Sequence, residues 1–476
     1  MPVTAAPRIA CLSTYAGHAG GAAVAMQRLV AALEAEGATV DVIARHRPDQ
    51  PAARGAEEGS RSRHAERRIR RRIRHGRTPL SNTLFSADWP AWDVASHPAV
   101  RAADVIHVHW VAGFLDAAAV RRLVAAGKPV VWTQHDFRAF TGGCHYPAGC
   151  AEFAAECNGC PQLAASLAAV PERSLRRSRR LLRGLPLAFV SPSRWLADEL
   201  ARASLFDATC HALHVIPNGI DVARYAPAAD KAATRARLGL PAAGLAVILG
   251  SVSLDERRKG ARTAAAALTI LAARLRSAGA PPPVAITCGA GTIALPGITH
   301  RHLGTVDEAG MLAALQACDV HVTMAREDNL PNTVVEALAC GLPVVACAVG
   351  GLPEMVTTGV EGWLVPVEEP AAAATALASL ARDPRLLAAA ARAARSRAVA
   401  VFDSRLQAAR HLALYEDLLR RPARGLPRPA PGGLLAPSPA TVPLLAPPPL
   451  IRRCLRHLRR LSRIGWCPPR TRSPPR

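Results

Sequence analysis

Two acidic side chains eight positions apart, Asp328 and Glu336, flank a helix start in the stretch EDNLPNTVVEALACGLPVV, residues 327–345. Pro331 suits a helix's first turn, where its missing N–H is no loss, and Gly341 suits the stop. The helix should therefore run from about Asn332 to Cys340. On it Asn332 and Glu336 share a face, while Val334, Val335 and Leu338 form the buried one. Unpaired N–H groups at a helix start attract phosphate, with the dipole adding about 0.3–1 kcal/mol. A carboxylate one turn further in can accept hydrogen bonds from sugar hydroxyls, so the chemistry on offer suits a sugar nucleotide.

Three further clusters could act with this one. The apolar runs DVIHVHW (104–110) and PVVWTQHD (129–136) both end in polar residues. Ligands in open α/β sheets gather at the carboxyl ends of strands, which should bring His109, His135 and Asp136 to one cleft edge. LAVILGSVSLDERRKG, 245–260, is a strand ending in Arg257, Arg258 and Lys259. Cations at a strand's carboxyl end can offset negative charge that develops in a reacting group. Cys144, Cys150, Cys157 and Cys160 fall within 17 residues, the last two as C-x2-C. Four thiolates can saturate tetrahedral zinc, with His145 as a substitute ligand; free thiols and an iron–sulfur cluster are the other readings.

The elements that must hold these residues follow from size and pattern. A chain of 476 residues suggests two domains plus extras. Its net charge of +23 is carried almost wholly by arginine, since only Lys128, Lys231 and Lys259 are lysines. Such a surface attracts anionic lipid, nucleic acid or phosphorylated substrates. Nucleic acid is disfavoured, because no aromatic stacking platform or reading motif accompanies the charge. No apolar run reaches the roughly 18 residues that span a bilayer, and the N-terminus does not read as a signal peptide. A cytoplasmic chain with reduced cysteines is expected.

In order, residues 8–14 read as a strand, Gly17–Gly21 as a loop, 22–36 as a helix and 39–44 as a strand, a βαβ opening. Within 45–78, RHAERRIRRRIRHGR is too charged for core. It reads as a solvated loop or helix, or as a membrane-surface helix with Ile69 and Ile73 in the interface. A second basic helix spans 171–183, and HVIPNGID, 214–221, ends the first half. VAITCG, ITHRHLGTV and CDVHVTM are strands of a second Rossmann-like unit. Val349–Glu354 is a Gly-rich turn in which Glu354 reads either as a cleft residue or as a helix N-terminal acid. Beyond Arg421 a Pro-rich linker leads to IRRCLRHLRRLSRIGW. There Ile451, Leu455, Leu458 and Leu461 fall at helical spacing, which suits a membrane surface or disorder.

The acidic-x7-acidic spacing, with ALACGLPVVA, GGLPEMV at 350–356 and GWLV at 362–365, resembles the retaining glycosyltransferases of family 4. The insertion 141–163, with HWVAGFL, resembles a bacterial exopolysaccharide subgroup. The resemblance implies a GT-B fold: two Rossmann-like domains with parallel sheets facing across a cleft. Their expected bounds are 1–217 and 218–401, followed by a cross-over helix 402–420 and a tail 421–476. It implies that Gly20 and Gly21 match a cleft-facing glycine pair and that His135 matches a histidine touching the donor sugar. Glu336, with Asp328 or Glu327, would bind the donor, flanked by Asn329, Leu330, Pro331 and Asn332. Lys259 matches the family's diphosphate lysine; Ser253 stands where the family has arginine, and Arg258 is the expected replacement. Gly289 matches a glycine near the nucleobase.

The expected reaction moves a sugar from a nucleotide-diphosphate donor to a saccharide hydroxyl, with no cofactor required for catalysis. The acceptor is read as lipid-linked and the chain as touching the inner face of an anionic plasma membrane. A synthase for soluble sugar phosphates and a non-catalytic scaffold of the same fold are the rivals.

Overall fold

The computed structural model describes residues 7–17, 20–46, 60–88 and 92–421. They form two six-stranded sheets. The first contains β1 (Arg8–Tyr15), β2 (Thr39–His46), β3 (Val105–Val108), β4 (Val130–Thr133), β5 (Leu187–Ser191) and β6 (Ala212–Val215) in the order β2-β1-β3-β4-β5-β6. The second contains β7 (Ala246–Ser253), β8 (Val284–Ala290), β9 (Thr299–His302), β10 (Val320–Thr323), β11 (Val344–Cys347) and β12 (Gly362–Val365) in the order β12-β11-β10-β7-β8-β9. All neighbours pair in parallel. Parallel strands covered by helices on both faces need side chains that are apolar on both sides, which is why β3, β4 and β11 are runs rather than alternations. In the first lobe Leu12, Ile106 and Phe189 fill one face of the sheet, while Ile9, Val105 and Val131 fill the other.

The strand order reverses between β1 and β3 in the first sheet and between β7 and β10 in the second. Such reversal points leave a crevice at the strands' carboxyl ends. β1 runs into Gly20 and β3 into His109; β7 leads to the turn Arg257–Lys259 and β10 to Asp328. Most of the candidate residues thus come from the two crevices.

The chain passes between lobes twice, and the two passages lie together. The Ile220 N–H donates to the Phe402 carbonyl at 2.8 Å, and the Ser404 N–H returns one to Ile220 at 2.9 Å. Gly219 permits this approach, since a Cβ there would stand 2.6 Å from the Ser404 Cα. The last described helix, Ser404–Arg420, then places Ala408, Leu414 and Tyr415 in the first lobe's core, so it crosses back as expected.

The two readings of the basic segment can be told apart. The basic segment is a helix, Ser60–His75, but Ile73 is only 5% exposed and packs with Leu163 and Leu167, with Ile69 against the same group. Its apolar stripe is used inside the molecule, leaving arginines outward, so those isoleucines do not enter a membrane. Among the described residues no helix is long and apolar enough to cross one. The linker and the Ile451, Leu455, Leu458 and Leu461 pattern lie outside the described residues.

A column of imidazoles seats the terminal helix. His107 Nδ1 lies 2.7 Å from the Tyr415 hydroxyl and its Nε2 2.7 Å from Thr133 Oγ1. Its ring centroid is 5.4 Å from that of His411 and 4.0 Å from that of His109, which in turn lies 5.4 Å from His135. Burial holds His135 and His411 down at about 4, and His107 and His109 well below their ordinary 6.5. The unfolded chain therefore binds more protons than the folded one between 6.5 and about 4. Stability contributed by these groups is complete above 6.5 and is lost as pH falls through that window. Denaturant midpoints measured from pH 8 to pH 5 should stay level and then drop; a midpoint flat through pH 5 contradicts this account.

Candidate active site

Between the lobes lies a cavity of about 730 Å³. Its charged wall is built by the turn after β7 and the loop after β10. The Lys259 ammonium donates to Asp328 Oδ2 at 2.7 Å, and Arg258 Nη1 stands 3.4 Å from Asp328 Oδ1. Arg258 is pinned further by the Glu327 carbonyl at 2.7 Å and Glu256 at 2.9 Å, and its guanidinium lies 3.9 Å from the centre of the Tyr146 ring. Burial alone would push the Asp328 carboxyl up. Lys259 and then Arg258 outweigh it and hold the carboxyl below its ordinary range. Gly260 makes this turn possible: its φ is +66°, and a Cβ would stand 1.8 Å from the Met324 carbonyl oxygen at the end of β10.

The first lobe supplies the opposite wall with Gly20, Gly21, His135, Asp136 and the Tyr15 and Trp110 rings. Gly20 has a φ of +105°, a backbone that favours glycine, and leads into the helix Gly21–Ala35. His135 is kept neutral because burial outweighs the carboxylate of Asp136. Asp136 is already engaged, accepting from Trp110 Nε1 at 2.8 Å and facing His145 Nδ1 at 2.7 Å. His109 reaches the cavity only through His135, whose Nε2 is 3.1 Å from its Nδ1.

Several residues expected in the cleft are spent elsewhere. Glu327 turns away from the cavity and accepts from the Ala148 and Gly149 N–H groups at 3.0 and 3.2 Å. Of the adjacent acids, Asp328 is the one that lines the cavity. Glu354 accepts from the Arg194 and Trp195 N–H groups at 2.8 and 2.7 Å, capping a first-lobe helix, Arg194–Arg202. Gly289 does not line the cavity; its φ of +124° and the Ser251 carbonyl, 2.0 Å from where a Cβ would stand, account for glycine there. Glu336 is buried behind the cavity and accepts from Arg28 Nη2 at 2.8 Å. Arg28 also reaches the Tyr225 hydroxyl at 3.1 Å and Glu308 at 3.4 Å.

Leu330, Pro331 and Asn332 line the cavity as expected, and Asn332 Nδ2 donates to the Gly21 carbonyl at 2.9 Å. Asn329 also lines it, but its side chain bridges the lobes. Its Nδ2 donates to the His135 carbonyl at 3.1 Å, and its Oδ1 accepts from Ser193 Oγ at 2.6 Å. Arg28, Tyr146, Ser193 and Tyr225 escaped the sequence reading. Tyr146 had a signal, since it lies within the Cys-rich insertion; the other three stand in ordinary helix and turn contexts. Cys144, Cys150, Cys157 and Cys160 line a separate small cavity, and none is in a disulfide.

The two lobes match two family profiles, residues 19–224 the one described as Glycosyltransferase Family 4 and residues 245–383 that of Glycosyl transferases group 1. A D-inositol 3-phosphate glycosyltransferase of Xylanimonas cellulosilytica is 29% identical over 89% of this chain and all of its own length. WcaC of Escherichia coli K12, named a colanic acid biosynthesis glycosyl transferase, is 29% identical over 52% of this chain and 60% of its own. Among solved structures, sucrose-phosphate synthase from Thermosynechococcus elongatus aligns at a TM-score of 0.58 with 20% identity, covering 86% of this chain and 98% of that one. HepE from Anabaena, solved with UDP and glucose, aligns at 0.56 with 18% identity over 86% of this chain and all of its own. Two facing Rossmann-like lobes, each matched by its own glycosyltransferase profile, establish the chain as a GT-B glycosyltransferase belonging to family 4.

Proposed function

We propose that the chain is a retaining transferase that moves a sugar from a nucleotide-diphosphate donor to a saccharide hydroxyl, the acceptor being lipid-linked and the product an extracellular polysaccharide. The single observation carrying the donor assignment is the cavity that presents Lys259, Arg258 and Asp328 together. The UDP and glucose held by HepE fit the same reading. As the bond from the anomeric carbon to the phosphate oxygen breaks, negative charge grows on the diphosphate, and Lys259 offsets it. The acceptor oxygen bonds to that carbon on the face the leaving group departs, and its proton passes to a diphosphate oxygen. Asp328 accepts from donor hydroxyls, and His135 orients the sugar as a neutral imidazole. Glu336, held by Arg28, sets the helix beneath the donor.

The mouth of the cavity favours a lipid-linked acceptor. Leu84 from the first lobe and Val252 from the second both line it, yet are 62% and 67% exposed. Apolar side chains from both lobes at an opening suit a partner that brings a hydrocarbon chain. Absence of disulfides among the ten described cysteines fits a cytoplasmic location, at the inner face of the membrane. The full-length likeness to an inositol-phosphate enzyme favours a second reading, a soluble sugar phosphate as acceptor.

Melting the protein with uridine, guanosine, adenosine and thymidine diphosphates should raise the midpoint for one base family, because a ligand of the folded form alone stabilises it. Lys259→Ala should lower kcat/KM by about 100- to 1,000-fold. A loss below tenfold removes Lys259 from the chemistry. Leu84→Glu should raise KM for a polyprenyl-diphosphate saccharide more than for the same saccharide without lipid. Equal effects on the two acceptors favour the soluble one.

A further inference from the structure

We propose that Cys144, Cys150, Cys157 and Cys160 bind a structural zinc ion, and that this metal holds the insertion as a clasp on the donor loop. All four thiols line one cavity of about 10 Å³, closed in by Phe85 and Phe153. A backbone donor already faces one of the sulfurs: the Gly142 N–H donates to Cys157 Sγ at 3.2 Å. Hydrogen bonds of this kind surround metal-bound ligands. Four soft ligands and no open position describe a structural zinc site, not a catalytic one.

The backbone adds an independent argument. Besides Glu368, the only non-glycine residues with positive φ among those described are Ala148 at 54° and Cys157 at 55°, both within the insertion. Its own helical structure is limited to one short 3-10 turn, Glu152–Ala154. Strained positions persist only where the surroundings over-determine them, and a four-ligand metal does so. Among the described residues the group with three ligand atoms all within 4.8 Å is Cys11, His107 and His109, so the four-cysteine ring must contract on binding. The rival group is discounted, because both ring nitrogens of His107 are engaged by Tyr415 and Thr133.

The link to the donor loop runs between the first two cysteines. Tyr146 lies beneath Arg258 and its hydroxyl is 3.4 Å from Asp328, while Ala148 and Gly149 hold Glu327. Fixing Cys144 and Cys150 therefore fixes the contacts that set Asp328 and Arg258. This coupling rests on the donor reading above, whereas metal content does not, so the two can fail separately.

The test uses the full chain, expressed without a polyhistidine tag and passed over a chelating resin. About one zinc per chain should remain, and a mercurial reagent should release it. Cobalt in its place should give the visible bands and sulfur-to-metal charge transfer of a tetrahedral thiolate site. A folded protein that holds no zinc when zinc is supplied, or a cobalt form lacking those bands, overturns the site. Cys150→Ser/Cys160→Ser, at the two partly exposed positions, should lose the metal; retention overturns the ligand set. In that variant the dissociation constant for the stabilising nucleotide diphosphate should rise about tenfold or more. An unchanged constant overturns the clasp while leaving the zinc. Should the variant not fold, the cobalt spectrum of the native sequence decides.

Discussion

A buried polar group needs a partner, and between residues 327 and 336 many of the partners stand on the opposite lobe. Glu327 is held by Ala148 and Gly149, Asp328 is approached by Tyr146, and Asn329 joins Ser193 to the His135 carbonyl. Asn332 reaches Gly21, and Glu336 takes Arg28. One loop and one short helix thus carry many of the specific contacts between lobes, and they also line the cavity. The residues that line the donor space or adjoin it are also ones that clasp the other lobe.

The character of these contacts matters as much as their position. An apolar seam of the same extent would be costly to open, since hydrocarbon gains nothing from water. Hydrogen bonds and ion pairs exchanged for water lose only about 0.5–1.5 kcal/mol each. A polar seam can therefore part to admit a donor and close again, while the two crossing segments at Ile220 and Phe402 keep the lobes in register. The apolar packing is kept within each lobe, where the strands are buried on both faces.

Legibility from the residues divides along the same line. Strands, their order of use and the helix after Pro331 could be read because apolar runs and turn residues act locally. The resemblance put Lys259 in one donor site with Asp328 or Glu327; Lys259 meets Asp328 because β7 and β10 are neighbours ending at one reversal point. Which way a carboxylate points was not legible. Glu327 and Asp328 are neighbours in sequence, yet one faces the insertion and the other the cavity. Glu354 and Glu336 sit near the cleft in sequence and are engaged by Arg194, Trp195 and Arg28, residues more than 150 positions away. Ile69 and Ile73 show the same limit: an amphipathic stripe names a face to be covered, not what covers it.

The two cations beside Asp328, Arg258 and Lys259, differ in how tightly they are held. Arg258 is held by Glu256, the Glu327 carbonyl, Asp328 and the Tyr146 ring, and burial against so many partners leaves its guanidinium no freedom to follow a leaving group. The Lys259 ammonium has one hydrogen bond among the described residues, to Asp328, and the side chain is 23% exposed. A compact ammonium on a flexible stem can move toward an arriving phosphate where a forked, pinned guanidinium cannot. On this reading the two cations divide the work. Arg258 fixes Asp328 and the loop that bears it, and Lys259 leaves that carboxylate to meet the diphosphate, freeing Asp328 to accept from the donor sugar.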